Sequence, residues 1–290
     1  MIGWQPANRN KEAVCSKDEK MGHFKTWTCE IGTDKRKKEE RPLRVMLMAD
    51  LHDRLWGEGQ RTLLEAVDVW SPDLVLCAGD MVLSRGGAQS GHTLLLFEGL
   101  AKRRIPIVAG NGNHETRMRE KEAEGGGQYR EYVRRLLELG VQVPVNETVS
   151  LRCGSTSLQI HGYEMSLEYY KKFCRLPRYD GADLQKIFGK PKEDVFHILL
   201  AHNPVYFPRY AAWGADLTLS GHLHGGLIRL PGIGGVITPQ AKLFPRYDRG
   251  LYERDGKYMV VSPGLGEHTI PIRIGNPPWL IGIKLQGTGE

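Results

Sequence analysis

Two histidines two positions apart lie in the stretch Leu219-Ser220-Gly221-His222-Leu223-His224-Gly225-Gly226, with glycines on both sides of the pair. A largely apolar run, 215–219, precedes the pair, and another, 227–230, follows it. If the segment is extended, alternate side chains share a face, so both imidazoles would lie on one side of a strand end. The glycines allow a sharp turn and the close approach of another group. By itself the stretch fits either a pair of metal ligands or a surface turn that carries two histidines.

Size and composition describe an ordinary soluble protein. The chain has 290 residues, enough for one large α/β domain or two small ones. The 35 glycines suit an enzyme with many loops. A net charge of +6 attracts phosphorylated anions in general. The densest basic run, residues 35–38, is followed at once by Glu39 and Glu40, so it indicates a solvated linker and gives no strong signal for nucleic-acid binding.

Cysteine usage and hydropathy indicate the compartment. The five cysteines are scattered and form no CxxC pair, which argues against a disulfide framework and against a thiolate zinc site. No apolar run reaches the length of about 20 residues needed to span a bilayer. The first 20 residues are polar and lack the apolar core of a signal peptide. We therefore expect a cytoplasmic protein without a membrane span.

The chain divides at about residue 42. Residues 1–41 are predicted to be a polar extension, poorly ordered over 1–21, with an edge strand over 23–31 and a charged linker over 33–41. Residues 42–290 are predicted to form a single α/β domain. Within it, we expect a mobile polar loop over 116–127, a short strand over 141–145 and a cap-like insertion over 163–191. The strands 258–262 and 279–285 are expected to close a second sheet.

Polar side chains follow the predicted buried strands at the points where these strands end. Asp50 and His52 follow the strand 43–49, and Asp80 follows the strand 74–78. Further along the chain, the strands 106–109, 195–201 and 215–219 are followed by Asn113, His114, His202, His222 and His224. Sheets of α/β proteins build their sites at the carboxyl ends of strands, so these side chains are expected to converge.

The candidate metal ligands are oxygen and nitrogen donors without a thiolate: Asp50, His52, Asp80, Asn113, His202, His222 and His224. Such donors suit Mn, Fe or Zn. Seven side chains are too many for one tetrahedral ion and suit two ions that share a carboxylate, about 3.5–4 Å apart. Two divalent cations outweigh two aspartates and one hydroxide, so the site keeps a net positive charge for a phosphoryl group.

The chain from about Leu43 to Leu285 resembles the calcineurin-like metallophosphoesterases. The resemblance rests on Asp50-x-His52, Gly79-Asp80, Gly112-Asn113-His114-Glu115, His202 and Gly221-His222-x-His224. It is similar above all to a bacterial branch in which the His-x-His is followed by Gly-Gly-x-x-Arg-Leu-Pro, here residues 225–231. Members of that branch include pyrophosphatases that act on a UDP-linked lipid A precursor.

The resemblance implies a metallo-dependent phosphatase fold, a four-layer αββα sandwich in which helices flank two mixed β-sheets. It also implies that Asp50, His52 and His224 hold one divalent ion and that Asn113, His202 and His222 hold the other, with Asp80 bridging the two. A metal-bound hydroxide would then attack phosphorus in line. Beside the leaving oxygen, His114 would protonate or stabilise it.

This sequence departs from the family pattern in two places. Many relatives carry an aspartate three residues after Gly-Asp, where this chain has Leu83, so a contact is either missing or supplied elsewhere, for example by Asp53 or Ser84. Many relatives of the bacterial branch also begin with a membrane helix, which this chain lacks. That absence weakens the case for a membrane-lipid substrate.

The expected reaction is hydrolysis of a phosphomonoester, a phosphodiester or a pyrophosphate, on a phosphorylated small molecule that is nucleotide-linked or lipid-linked. The alternatives are a catalytically weak metal-binding scaffold of the same fold and a nuclease or cyclic-nucleotide phosphodiesterase. The other histidines are not assigned to the site: His197 is expected in the core, and His161 and His268 at the surface. Whether Arg85, Arg117 or Arg229 binds phosphate stays open.

Overall fold

Two six-stranded β-sheets form the framework of the described part of the chain. In this computed structural model the described residues are 16–21, 24–84, 90–122, 127–171, 177–226, 228–230, 234–238, 243–267 and 273–289. Their strands are β1 (Ser16–Met21), β2 (Phe24–Lys37), β3 (Leu43–Met48), β4 (Leu74–Ala78), β5 (Ile107–Gly110), β6 (Glu147–Cys153), β7 (Thr156–Tyr163), β8 (Phe196–Ala201), β9 (Leu217–Ser220), β10 (Ile228–Leu230), β11 (Gly234–Ile237), β12 (Gly250–Arg254), β13 (Lys257–Val261) and β14 (Trp279–Gly289). Their α-helices are α1 (Arg61–Trp70), α2 (Gly91–Ala101), α3 (Asn113–Glu122), α4 (Gln128–Glu138), α5 (Ala182–Phe188) and α6 (Phe207–Trp213). Short 3-10 helices cover Glu58–Gln60, Leu167–Tyr170 and Pro204–Tyr206.

Both large sheets are mixed. The first has the order β1-β2-β14-β3-β4-β5, and β3, β4 and β5 run parallel. The second has the order β12-β13-β9-β8-β7-β6, and β7, β8 and β9 run parallel. Parallel neighbours end at the same sheet edge, so the loops after β3, β4 and β5 start close together, and so do those after β8 and β9.

Three apolar layers hold the sheets and helices together. Side chains such as Leu47, Leu76 and Leu219 fill the space between the two sheets. On the outer face of the first sheet a second cluster includes Leu63, Phe97 and Leu136 from α1, α2 and α4. An aromatic cluster that includes residues of α5 and α6 packs on the second sheet. This arrangement is the predicted four-layer sandwich. Strands covered on both faces are apolar throughout, as β4 is.

Helix α1 shows how the outer layers form. Its apolar residues Leu63, Ala66, Val67 and Trp70 recur at helical spacing, so they share the buried face. The helix ends where Ser71 adopts a left-handed conformation and Pro72 follows, since proline cannot continue the backbone hydrogen bonds.

The N-terminal extension differs from its prediction. Residues Ser16–Met21 form β1 rather than a poorly ordered segment, and the strand expected over 23–31 extends from Phe24 to Lys37. It is not an edge strand, because β2 lies between β1 and β14. Its pairing with β14 continues to Lys37, through the segment predicted as a linker. Residues 1–15 and 22–23 lie outside the described ranges.

Two predictions in the middle of the chain are wrong. The stretch expected as a loop over 116–127 is helical as far as Glu122, because its Glu, Arg, Met and Lys residues are good helix formers. Residues 123–126 are not among those described. Instead of a strand over 141–145, the structure has one isolated bridge between Gln142 and Val108.

The strand expected over 279–285 is β14, but it lies in the first sheet, between β2 and β3, and does not close the second. An uninterrupted apolar strand has the same pattern in either sheet, so the sequence did not distinguish them. Wherever the structure describes a helix, its length or hydropathy falls short of what crossing a bilayer requires.

Candidate metal centre

All eight predicted site residues converge at the carboxyl ends of strands from both sheets. Asp50 and His52 follow β3, Asp80 follows β4, and Asn113 and His114 begin α3 just after β5. From the second sheet, His202 follows β8, and His222 and His224 follow β9. Each of the eight is more than nine-tenths buried. Buried carboxylates and imidazoles in such number need partners, because burying an unpaired polar group is costly.

One group of donors consists of Asp50, His52 and His224. Oδ1 of Asp50 lies 3.3 Å from Nε2 of His224 and 3.9 Å from Nε2 of His52. The two Nε2 atoms are 3.1 Å apart. Three donor atoms therefore surround a space of the size that a metal ion occupies.

A second group consists of Asp80, His202 and His222, whose donor atoms all lie within 4.8 Å of one another. The amide of Asn113 lies at its edge and fits in two orientations. One lets its nitrogen donate to Nδ1 of His222 and its oxygen accept from Nη1 of Arg117. The other turns its oxygen towards Nδ1 of His222, 2.9 Å away, as a second electron-pair donor.

Asp80 connects the two groups. Its carboxylate is also within 4.8 Å of donor atoms of His52 and His114. It therefore has neighbours on both sides of the centre.

The imidazole of His202 tests whether a metal fits. Nδ1 lies 2.6 Å from the carbonyl oxygen of Ala78, so in the neutral ring Nδ1 carries the proton and Nε2 carries the lone pair that a metal would bind. Nε2 is buried, 3.1 Å from Oδ2 of Asp80, and makes no hydrogen bond with any residue described. Two electron-pair donors at this distance need a cation between them. A proton there would be poorly aligned for a hydrogen bond, whereas a divalent metal ion fits the donor set.

Burial and neighbouring charges prepare the donors for a metal. Burial lowers the pKa of His202, but the carboxylates of Asp80 and Asp50 outweigh this effect and raise it to about 9, so Nε2 favours a cation and a metal ion bound there would displace a proton. Burial raises the pKa of Asp80, but His202 and His114 outweigh this effect and hold it well below its usual value. Burial and the neighbouring His224 keep the pKa of His52 well below its usual value. An ionised Asp80 and a neutral His52 are the forms that bind metals.

The backbone of the ligand loops is strained. Five of the candidate ligands adopt positive φ angles: Asp50, His52, Asp80, His222 and His224. This left-handed conformation costs roughly 1–2 kcal/mol for a residue with a side chain. His222 and His224 are therefore in a turn beyond β9, and the predicted extended strand end with both imidazoles on one face is wrong. The turn instead sends His222 towards Asp80 and His224 towards Asp50.

Two glycines make room for the carboxylates. A Cβ atom on Gly112 would lie 2.4 Å from Oδ1 of Asp80, and one on Gly221 would lie 2.3 Å from Oδ2 of Asp50. Any side chain at either position would push a ligand out of place.

Glu115 holds two ligand loops together, a role that the sequence did not reveal. Its carboxylate accepts hydrogen bonds from the backbone N–H groups of Asp80, Met81 and Gly112, at 2.8–2.9 Å. Burial and the nearby Asp80 raise the pKa of Glu115 to about 7. The one feature of the sequence that could have indicated this role is that Glu115 directly follows His114.

Of the two residues offered as a substitute for the aspartate missing at Leu83, Ser84 contacts His114. Its backbone N–H donates to Nδ1 of His114 at 3.0 Å, and its Oγ lies 3.1 Å from the same atom. The alternative, Asp53, instead accepts from the backbone N–H of Thr93. Because Nδ1 accepts a hydrogen bond from the N–H of Ser84, the neutral ring of His114 carries its hydrogen on Nε2.

Asn276 and Arg273 support the His-x-His turn from about fifty residues away. The amide nitrogen of Asn276 donates to the carbonyl oxygens of His224 and Gly226. The guanidinium of Arg273 donates to Pro263 O and lies 3.4 Å from Nδ1 of His224. No sequence signal connects these residues to the site, since only folding brings them there.

The arginines considered for phosphate binding and the histidines not assigned to the site lie in different places. Arg117 reaches the amide of Asn113. Arg229 pairs with Asp248. His197 is buried, as predicted, but His161 is buried beside it and not at the surface. Arg85 and His268 lie outside the described ranges.

Comparison with known proteins identifies the family of this chain. Residues 43–226 match the family described as calcineurin-like phosphoesterase. The uncharacterized metallophosphoesterase YkuE of Bacillus subtilis (strain 168) is 27% identical over 244 residues, which cover 83% of this chain and 77% of that protein. Phosphodiesterase YaeI of Escherichia coli (strain K12) is 24% identical over 230 residues, which cover 78% and 76%. A solved structure, the phosphopantetheinyl hydrolase PptH of Mycobacterium tuberculosis, is 16% identical with a TM-score of 0.42 and covers 75% of this chain and 87% of its own. The family match confirms the predicted class, a metal-dependent phosphoester hydrolase.

Proposed function

This chain belongs to the calcineurin-like phosphoesterase family, and from that premise we propose that it hydrolyses a phosphate ester or pyrophosphate at a centre of two divalent metal ions. Asp50, His52 and His224 would hold one ion, Asn113, His202 and His222 would hold the other, and Asp80 would be shared between them. The observation that carries the proposal is the position of Asp80, within reach of both groups of donors. When bound, Mn, Fe or Zn ions would lower the pKa of a water nucleophile and polarise the phosphoryl oxygens.

The protein's own contribution is to fix the donors before substrate arrives. Glu115 aligns the loops that carry Asp80 and Gly112, and the carbonyl of Ala78 fixes the tautomer of His202. Because the donors are already placed, little reorganisation accompanies the reaction.

His114 serves the leaving group. The N–H of Ser84 holds the ring through Nδ1, so Nε2–H is the donor available to the oxygen that leaves. Its ring lies 4.8 Å from that of His52, beside the centre. This position suits donation of a hydrogen bond or a proton as negative charge develops on that oxygen.

The substrate class follows from charge. The centre would carry a net positive charge with its ions, and Arg117 and Arg273 lie next to its ligands. We propose a phosphorylated small molecule, nucleotide-linked or lipid-linked. The cytoplasmic location remains a prediction.

A reconstitution experiment tests the proposal. The chain is loaded separately with Mn²⁺, Fe²⁺ and Zn²⁺, the bound metal is measured by elemental analysis, and a monoester, a diester and a pyrophosphate are assayed. We expect about two ions per chain and hydrolysis of at least one substrate. Two ions without hydrolysis would instead indicate the scaffold alternative, and one ion or none would contradict the shared centre.

A further inference from the structure

We infer that Arg117 and Tyr170 form a phosphoryl-binding clamp beside the donor group of Asn113, His202 and His222. The inference rests on the proposed function and adds substrate-binding residues to it. The two side chains come from different elements, since Arg117 is in α3 and Tyr170 ends the 3-10 helix Leu167–Tyr170.

Helix geometry places Arg117 at the site. It lies four residues after Asn113 and three after His114, so the three side chains share one face of α3. Its Nη1 is 2.7 Å from the amide of Asn113. The guanidinium is half-buried, which keeps it at the rim of the centre rather than in bulk solvent.

The orientation of Asn113 creates a place for an anion. When the amide oxygen faces His222 as a metal ligand, the amide nitrogen faces Nη1 of Arg117, and both atoms are hydrogen-bond donors. Two facing donors repel unless an acceptor lies between or beside them. A non-bridging phosphoryl oxygen is such an acceptor, and it would be held next to the ion that Asn113 binds.

Tyr170 packs against the two histidines of the same donor group. Its ring packs edge-on against His222, with centroids 4.8 Å apart, and lies 6.0 Å from His202. The residue is 4% exposed, and within the described ranges its hydroxyl forms no hydrogen bond with the protein. The hydroxyl is not among the fully buried atoms that lack a partner, so it is open to solvent and an oxygen of the substrate can reach it.

The test compares Arg117→Gln and Tyr170→Phe with the unaltered chain, all loaded with the same metal. The binding of inorganic phosphate is measured by calorimetry, together with metal content and KM for a phosphate monoester. Because it removes a charged hydrogen bond, Arg117→Gln should weaken phosphate binding and raise KM by about 10–100-fold. Tyr170→Phe removes a neutral one and should have an effect of about 2–10-fold. Arg117→Lys should recover part of the loss, because it restores the charge without the planar fork.

The control is Arg119→Gln, which removes the same charge from the same helix. Arg119 is exposed and pairs with Glu164, so phosphate binding should stay within about twofold. Unchanged phosphate affinity in both test variants would overturn the inference. So would loss of metal from Arg117→Gln, since Arg117 would then act as a support for Asn113. Failure of the proposed function is a separate result, namely that the loaded unaltered chain hydrolyses no substrate of the panel.

Discussion

Among the residues that the structure describes, two buried groups of histidines can be compared, and one of them has the arrangement of a candidate metal centre. At the centre, His52, His202 and His224 surround carboxylates that lie 3.1–3.9 Å from their Nε2 atoms. On the second sheet, His161 and His197 stack with ring centroids 5.2 Å apart and a ring nitrogen contact of 2.9 Å. Burial is equally complete in both places.

The difference lies in how the ring nitrogens are used. In the second pair, Nδ1 of His161 meets the hydroxyl of Thr148 at 2.8 Å, and Nε2 of His197 meets the backbone of Lys192 at 3.0 Å. Each described ring nitrogen there has a partner. At the centre, Nε2 of His202 has none and faces a carboxylate. Burial alone therefore does not identify a ligand, whereas an unsatisfied nitrogen beside a buried carboxylate does.

Removing the charge of Asp80 should have the largest effect on activity and metal binding. Asp80→Asn should lower kcat/KM by about 10³-fold or more and remove at least one ion, because the bridging charge is lost. The matched control is Asp216→Asn near the second pair, where Asp216 binds Lys35 and Lys257. That variant should keep its activity and lose only stability. Equal activity in the two variants would contradict the role of Asp80, and kinetics with metal analysis provide the measurement.

Replacing His114 should have the second-largest effect on activity. Replacing it by alanine should lower kcat by about 10²–10⁴-fold, the usual contribution of an acid-base group, while the ions stay bound. The effect should shrink for substrates with a good leaving group, because such a group needs little help from a hydrogen-bond donor. His197→Gln is the control and should leave kcat unchanged. If His114→Ala instead lost its metal, the residue would be a ligand and not a catalyst.

The candidate metal ligands were predictable from the sequence, but the residues that hold their loops in place were not. Asp50, His52, Asp80, Asn113 and His202 each follow an apolar strand, so local pattern and topology together bring them to one place. Glu115, Ser84, Asn276 and Arg273 act through backbone atoms that only folding brings near. Their roles depend on distances that no spacing in the sequence encodes.

The same limit explains the errors in the fold. The pattern of β14 identified a strand but not its sheet, and polar α3 had the composition of a loop. His222 and His224, like Gly225 and Gly226 after them, carry positive φ angles, which the alternation of a strand does not anticipate.

A supporting residue should have a smaller effect than a ligand. Asn276→Ala removes donors to the carbonyl oxygens of His224 and Gly226, so the turn that carries His224 should loosen. Loss of such a support typically costs about 10–100-fold in metal affinity. Titration with Zn²⁺ measures the change, and excess metal should restore most of the activity. Loss of activity that excess metal does not restore would place Asn276 in the reaction itself.

Replacing His161, in the pair His161–His197, should have the smallest effect on activity and should change only the dependence of stability on pH. Burial and the neighbouring His197 lower the pKa of His161 to about 3. The groups that face the pair are Thr148, Phe188 and Trp213 around His161, and Lys192, Asp216, Lys35 and Lys257 around His197. Because the unfolded chain binds this proton near pH 6.5 and the folded chain only near pH 3, the contribution to stability is complete above about pH 6.5 and is lost as the pH falls.

His161 should therefore account for about 2 kcal/mol of the stability lost between pH 7 and pH 5. Urea unfolding at pH 7 and at pH 5 measures this loss of stability. His161→Gln should lose about that much less stability on acidification and should keep its kcat. The control His92→Gln, at a half-exposed position, should behave like the unaltered chain in both measurements. If His161→Gln lost as much stability on acidification as the unaltered chain, the pair would not be held neutral, and its contrast with the metal centre would disappear.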